Sequence, residues 1–204
     1  MPISNHYNFI SSNLLLWKLS ETETELKNLL NPSTYPNSRL NLIKSTNQRK
    51  QFLGVQNLLK LLKINSDTLF YDNNGKPHLS NNTFISISHS FDYCGVIILD
   101  TKVGIDIEKI RPKILNISKK FISESDWNLI KLNSVENVTK VWTIKEAVFK
   151  AFGHKGIDFK KNIIITSVNK GLIRPVYQFL LIKLQKIIIL KFIIFHNTFV
   201  VLLN

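Results

Sequence analysis

From Val103 to Glu108 the chain alternates strictly: Val103, Ile105 and Ile107 are apolar, and Gly104, Asp106 and Glu108 fall between them. Successive side chains of a strand leave opposite faces, so the segment is predicted to be a strand with one core face and one polar face. Asp106 and Glu108 share the polar face, with backbone positions roughly 6 to 7 Å apart. Two carboxylates that close repel unless a cation lies between them. Mg²⁺ takes oxygen ligands while keeping positions for water and substrate phosphates. A solvated edge of an amphipathic strand gives the same pattern, so the pair alone leaves both readings open.

A second cluster follows on a predicted helix over Val135 to Phe152. Val141, Ile144, Val148 and Phe152 form an apolar stripe there, while Trp142, Glu146 and Lys150 recur every four residues on another side. Glu146 and Lys150 alone would read as a surface ion pair worth a few tenths of a kcal/mol. A Trp in line with them argues for a stripe that faces protein or ligand. Earlier in the chain, Gly75-Lys76-Pro77 and the triplet Ser88-His89-Ser90 supply a point cation, hydroxyl donors and an imidazole, all groups that suit a phosphate.

Around these segments the pattern is mixed α and β. A first strand is expected at Leu14 to Leu19. A helix capped by Ser20 and Glu23 should follow, and one long helix should run from Ser38 to about Lys63. Asp72-Asn73-Asn74-Gly75 is turn chemistry, with strands next at Thr83 to Ser88 and Tyr93 to Leu99. After Arg111-Pro112, helices are predicted at Ile114 to Phe121 and at Glu124 to Leu132, the latter with Ser123 as N-cap and Asp126 as its box partner. Strands at Asn162 to Val168, at Tyr177 to Leu184 and twice between Ile187 and Leu203 complete the list, with turns at Asn169-Lys170-Gly171 and His196-Asn197.

The 204 residues suffice for two lobes of about 100 residues each. The fold class read from this order is α+β: two similar lobes, 1–100 and 101–204, each a small antiparallel sheet packed with helices. Lys and Arg number 27 against 14 Asp and Glu, a net charge of +13, which favours negatively charged partners. The surplus of Lys, Asn and Ile also matches the bias of an AT-rich genome. Cys94 is the single cysteine, lies in an apolar run, and is expected to be a buried thiol in a reducing compartment. Nothing resembles a secretory signal, and the most apolar tail segment, 186–195, is interrupted by Lys191 and is shorter than a membrane helix needs. A cytoplasmic protein with no membrane span is the expectation.

Taken in order, Gly75-Lys76-Pro77, Ile87-Ser88-His89-Ser90, Val103-Gly104-Ile105-Asp106-Ile107-Glu108 and Trp142-Thr143-Ile144-Lys145-Glu146-Ala147-Val148-Phe149-Lys150 resemble the 4′-phosphopantetheinyl transferase superfamily, in its longer, monomeric, surfactin-synthetase-activating branch. The resemblance spans residues 75 to 153. It implies a monomeric pseudo-dimer of two lobes with coenzyme A in the cleft between them, and transfer of phosphopantetheine to a serine of an acidic acyl or peptidyl carrier protein. It further implies Mg²⁺ held by Asp106, Glu108 and Glu146, with Asp106, Glu146 and Lys150 as the catalytic set. Lys150 and Lys145 would contact the pyrophosphate, Ser88 and His89 the 3′-phosphate, and Gly75, Lys76 and Pro77 the adenine end. Arg49 would add a cation on the 3′-phosphate, with Lys50 as its competitor. The chain departs from the family in the loop at 31–37, which carries no cation, so that only Lys27 and Arg39 lie nearby.

Two other classes fit parts of the sequence. A basic nucleic-acid-binding module would concentrate cations on one face among stacking aromatics, whereas here the cations are scattered and no such motif occurs. A relative that binds coenzyme A or a carrier without catalysis would not need all three carboxylates and Lys150. Neither nucleic acid nor a membrane is therefore expected as a partner.

Overall fold

The structure is a computed structural model describing residues 5–9, 12–30, 37–65, 68–130, 134–152, 156–169, 176–181, 187–195 and 198–203. The chain divides into two compact units, Met1–Lys102 and Val103–Asn204, each mixing helices with antiparallel sheet.

In the first unit, strands β1 (Asn5–Phe9), β2 (Ser12–Lys18), β5 (Phe84–Ser90) and β6 (Tyr93–Leu99) form a sheet in the order β1-β2-β6-β5. Helices α1 (Glu23–Asn28), α2 (Asn37–Leu42) and α3 (Thr46–Leu61) accompany it. Leu15, Trp17, Leu26, Leu53, Leu58, Ile85, Cys94 and Val96 close the core between sheet and helices. Cys94 is buried there, as expected, and burial pushes its thiol well above the ordinary range. A two-stranded hairpin, β3 (Leu69–Tyr71) with β4 (Pro77–Leu79), is joined by the Asp72–Gly75 turn.

Three local expectations change. The cap of α1 is Thr22, with Glu25 as box partner, not Ser20 with Glu23: Glu25 takes the Thr22 N–H at 2.7 Å, while Glu23 is engaged by Lys27 and Arg49. The single long helix predicted from Ser38 is two. The Ile43 N–H closes α2 onto the Leu40 carbonyl, and Ser45 then caps α3 anew. The helix predicted from Ile114 begins as a 3₁₀ helix, Pro112–Ile117, before the short α4, Ser118–Phe121.

In the second unit β7 (Gly104–Lys109), β8 (Ile163–Asn169), β9 (Val176–Leu181), β10 (Ile187–Phe195) and β11 (Thr198–Leu203) form a sheet ordered β7-β11-β10-β9-β8. Asp106 pairs in register with Val201 and Glu108 with Phe199. Helices α5 (Glu124–Ile130), α6 (Val135–Phe152) and α7 (Phe159–Asn162) complete the unit. The turn at His196-Asn197, the loop at 31–36 and the segment 153–155 lie outside the described residues, as do 131–132, 170–171 and 182–184 of the predicted elements.

The polar face of β7 is not solvated. Asp106 is only 4 % exposed, because α6 packs across β7 and β11. Gly104 makes the close approach possible: a Cβ there would collide with the Ala147 carbonyl oxygen and meet the Ala151 nitrogen at 3.0 Å. Glycine, which has no Cβ, lets helix and strand backbones touch. Residues 104, 106 and 108 share one strand face, so the packing that needs Gly104 also turns Asp106 and Glu108 toward the helix.

Candidate active site

Asp126 is the buried hub of the second unit. Its carboxylate caps α5 by taking the Ser123 N–H at 2.8 Å, while its own N–H donates to Ser123 Oγ at 3.1 Å, the predicted box. It also takes the Ile165 N–H at 2.9 Å from β8 and the Lys145 ammonium at 2.6 Å from α6. Lys145 donates further to the carbonyls of Phe121 at 2.7 Å and Phe159 at 2.9 Å, so the three N–H bonds of its ammonium all have protein acceptors. Both side chains are wholly buried. Burial lowers the Lys145 pKa, and Asp126 opposes that shift. The expectation that Lys145 helps hold a phosphate is corrected: it has no donor to spare and no access to solvent. Sequence reasoning saw Asp126 only as a cap, since nothing in local spacing reveals a partner on another helix.

A little over one turn further along α6 the chemistry differs. Lys150 Nζ donates to Asp106 Oδ1 at 2.7 Å, and Lys150 keeps 27 % of its side chain exposed against 6 % for Asp106. Among the described residues, Asp106 Oδ2 is a buried oxygen that takes no hydrogen bond. The Glu146 carboxyl is pushed up to about 7, first by burial and then by the Asp106 carboxylate, with Glu108 adding to the shift and Lys150 opposing it. Trp142 Nε1 donates to Glu108 Oε1 at 3.3 Å, and its ring packs on Phe121 at 4.8 Å and Phe159 at 5.7 Å. The Trp142-Glu146-Lys150 stripe thus meets the Asp106–Glu108 face of β7.

The helix spacing and strand spacing bring Asp106, Glu108, Glu146 and Lys150 into one electrostatic neighbourhood. Among the described residues, no three or more His, Cys, Asp or Glu side chains are gathered into a ready metal cage. The donor set itself fits a hard divalent cation, with carboxylates on two adjacent elements and a cation already attracted to one of them. Mutual repulsion, felt in the raised Glu146 pKa, would be relieved by such an ion.

In the first unit the candidate residues are spread. Arg49 grips Glu23 through Nε at 2.8 Å and Nη2 at 2.7 Å, and its Nη1 donates to the carbonyls of Leu40 and Ile43. These bonds tie α1 and the end of α2 to α3, so Arg49, expected on a phosphate, is committed to structure. Its neighbour Lys50 donates to the Leu19 carbonyl at 3.2 Å. Ser88 and His89 are adjacent on β5, so the alternation of the strand sends them to opposite faces: Ser88 is buried and His89 exposed. Gly75, at φ +80°, and Lys76 and Pro77 close the β3–β4 hairpin. Among the described residues, no helix is long and apolar enough to cross a membrane.

Comparison with known proteins adds independent findings. Residues 102–190 match the model of the 4′-phosphopantetheinyl transferase superfamily. The chain is similar to the 4′-phosphopantetheinyl transferase gsp of Aneurinibacillus migulanus, 30% identical over 102 residues that cover 47% of this chain and 43% of that protein. It is also similar to the 4′-phosphopantetheinyl transferase psf-1 of Bacillus pumilus, 33% identical over 94 residues, covering 43% of this chain and 40% of that protein. The chain thus spans less than half the length of each of these relatives. The matched stretch contains β7 and α6, the two elements that bring Asp106, Glu108, Glu146 and Lys150 together, so it is in this part of the chain that the similarity to the 4′-phosphopantetheinyl transferase superfamily lies.

Proposed function

We propose that the protein transfers 4′-phosphopantetheine from coenzyme A to a serine of an acyl or peptidyl carrier protein. One observation carries the reading: the ion pair of Lys150 with Asp106, set beside Glu108 and a Glu146 whose carboxyl titrates near 7. Phosphoryl transfer asks a protein chiefly for charge neutralisation and in-line placement.

Asp106, Glu108 and Glu146 would hold Mg²⁺, and the bound ion would supply charge neutralisation on the pyrophosphate. Lys150, about a quarter exposed, would exchange part of its hold on Asp106 for a phosphate oxygen. Glu146 would take the proton of the carrier serine, directly or through water. The serine oxygen then bonds to the pantetheine-bearing phosphorus. The bond from that phosphorus to the nucleotide breaks, and adenosine 3′,5′-bisphosphate leaves. Trp142 would orient Glu108 through its indole N–H.

The two units would be the lobes of a monomeric pseudo-dimer, with coenzyme A between them. Gly75, Lys76 and Pro77 would lie at the adenine end and His89 on the 3′-phosphate. The net charge of +13 would steer acidic carriers, and the reading places the protein in the cytoplasm. The test is incubation with coenzyme A, Mg²⁺ and several apo carriers, followed by mass spectrometry of the carrier. A mass gain equal to phosphopantetheine is expected, and silence across the carrier panel would remove the reading.

A further inference from the structure

The β3–β4 hairpin of the first unit turns through Asp72, Asn73, Asn74 and Gly75, and one carboxylate closes it. Asp72 Oδ1 accepts the Asn74 N–H at 2.8 Å and the Lys76 N–H at 3.0 Å, and Oδ2 lies 3.2 Å from His78 Nε2. The Asp72 N–H donates to the Lys76 carbonyl at 3.0 Å, and the Gly75 N–H to the Asp72 carbonyl at 2.9 Å. These bonds, the Lys76 N–H first, hold the Asp72 carboxyl below the usual range, so it stays ionised. Around the turn, His78 stacks on Phe70 with ring centroids 5.4 Å apart, and the Arg39 guanidinium lies 4.8 Å over the Tyr71 ring. The backbone that bears Lys76 is therefore fixed from both sides.

Lys76 is half-buried. Burial, and after it the nearby Lys102 ammonium, lowers its pKa, with Asp72 opposing. Neighbouring cations repel, and an anion placed with them offsets the repulsion. Elsewhere in the unit, Lys27 is paired with Glu23, and Arg39 lies over aromatic rings. Lys102 is a cation that the family motifs did not single out.

We infer that Asp72 is a positioning residue for the nucleotide end of coenzyme A: by closing the turn it presents Lys76, with Lys102 nearby, to a phosphate of the nucleotide. The inference rests on the proposed transfer from coenzyme A. Fixing a loop in its binding conformation strengthens binding by removing the entropy of ordering it, so the expected effect falls on affinity.

The experiment measures adenosine 3′,5′-bisphosphate binding to the full chain by calorimetry, and KM and kcat for coenzyme A in the transfer assay. Asp72→Ala should weaken nucleotide binding and raise KM about tenfold while kcat stays within about twofold. Asp72→Asn, whose Oδ1 still accepts both N–H groups, should bind within about threefold of the parent. Lys76→Ala should weaken binding, and Asp72→Ala added to it should cost little more, because the carboxylate acts through the lysine. Binding without transfer would refute the transfer reading and leave the positioning role standing. The role is overturned if the parent chain binds no nucleotide, if Asp72→Ala binds as the parent does, if Asp72→Asn is as poor as Asp72→Ala, or if the two losses add.

Discussion

Lys145 and Lys150 stand little more than one turn apart on α6, and each pairs with an aspartate at close range, 2.6 Å and 2.7 Å. The first pair is sealed: both side chains are fully buried, and the lysine donates to two carbonyls as well. The second is open on one side, with Lys150 about a quarter exposed. A sealed pair with every donor used can serve only the fold. A pair left partly open to solvent can exchange partners, which is what a phosphate or a metal ion requires. The two residues are alike in type, range of pairing and helix, and differ in what surrounds them.

The largest expected effect breaks the sealed pair. Lys145→Met would leave Asp126 as a buried charge without its cation and should destabilise the protein by about 3–5 kcal/mol, measured by denaturant unfolding. If the cost were under about 1 kcal/mol while transfer vanished, Lys145 would belong with the functional groups after all. On the open side, Asp106→Asn should cut transfer by roughly 10²–10³-fold, about 3–4 kcal/mol of barrier, with far less change in unfolding. A stability loss matching that of Lys145→Met would erase the distinction.

A third pair, Arg49 with Glu23, has both side chains about a fifth exposed, at 20 % and 21 %. The Arg49 hydrogen bond, and then that of Lys27, draws the Glu23 carboxyl down to about 2 from 4.5. Between these values the unfolded chain binds more protons, so stability rises with pH across that window. The contribution is complete above about 4.5 and is lost as pH falls through 2. After discounting for partial exposure it amounts to about 1–2 kcal/mol, and Glu23→Gln should flatten the unfolding profile over that acid range. The smallest effect belongs to Trp142→Phe, which keeps the ring packing and removes the 3.3 Å donor to Glu108. A loss of about 0.5–1 kcal/mol, read as a few-fold fall in kcat, is expected; an unchanged kcat would show that Glu108 needs no orienting partner.

Much of the fold was legible because its signals are local. Alternation placed β7 within a residue, apolar spacing placed α6 over Val135–Phe152, and the Ser123–Asp126 box marked α5. Expectations failed where two local readings compete. Thr22 and Ser20 both precede an acidic residue by three, and the choice fell to Thr22 because Glu23 is drawn away by Arg49. The break between α2 and α3 hangs on the Ser45 cap, which periodicity does not register.

The sequence by itself determined that Asp106 and Glu108 share a strand face and that Trp142, Glu146 and Lys150 share a helix face, because the periods of strand and helix are properties of the backbone. Only the tertiary structure decided that these faces meet, through a contact at Gly104 too close for any Cβ. It also decided which lysine of α6 is sealed and which is open. Burial and partner number depend on elements distant in sequence, Asp126, Phe121 and Phe159 for Lys145 and Asp106 for Lys150, and no local pattern encodes them.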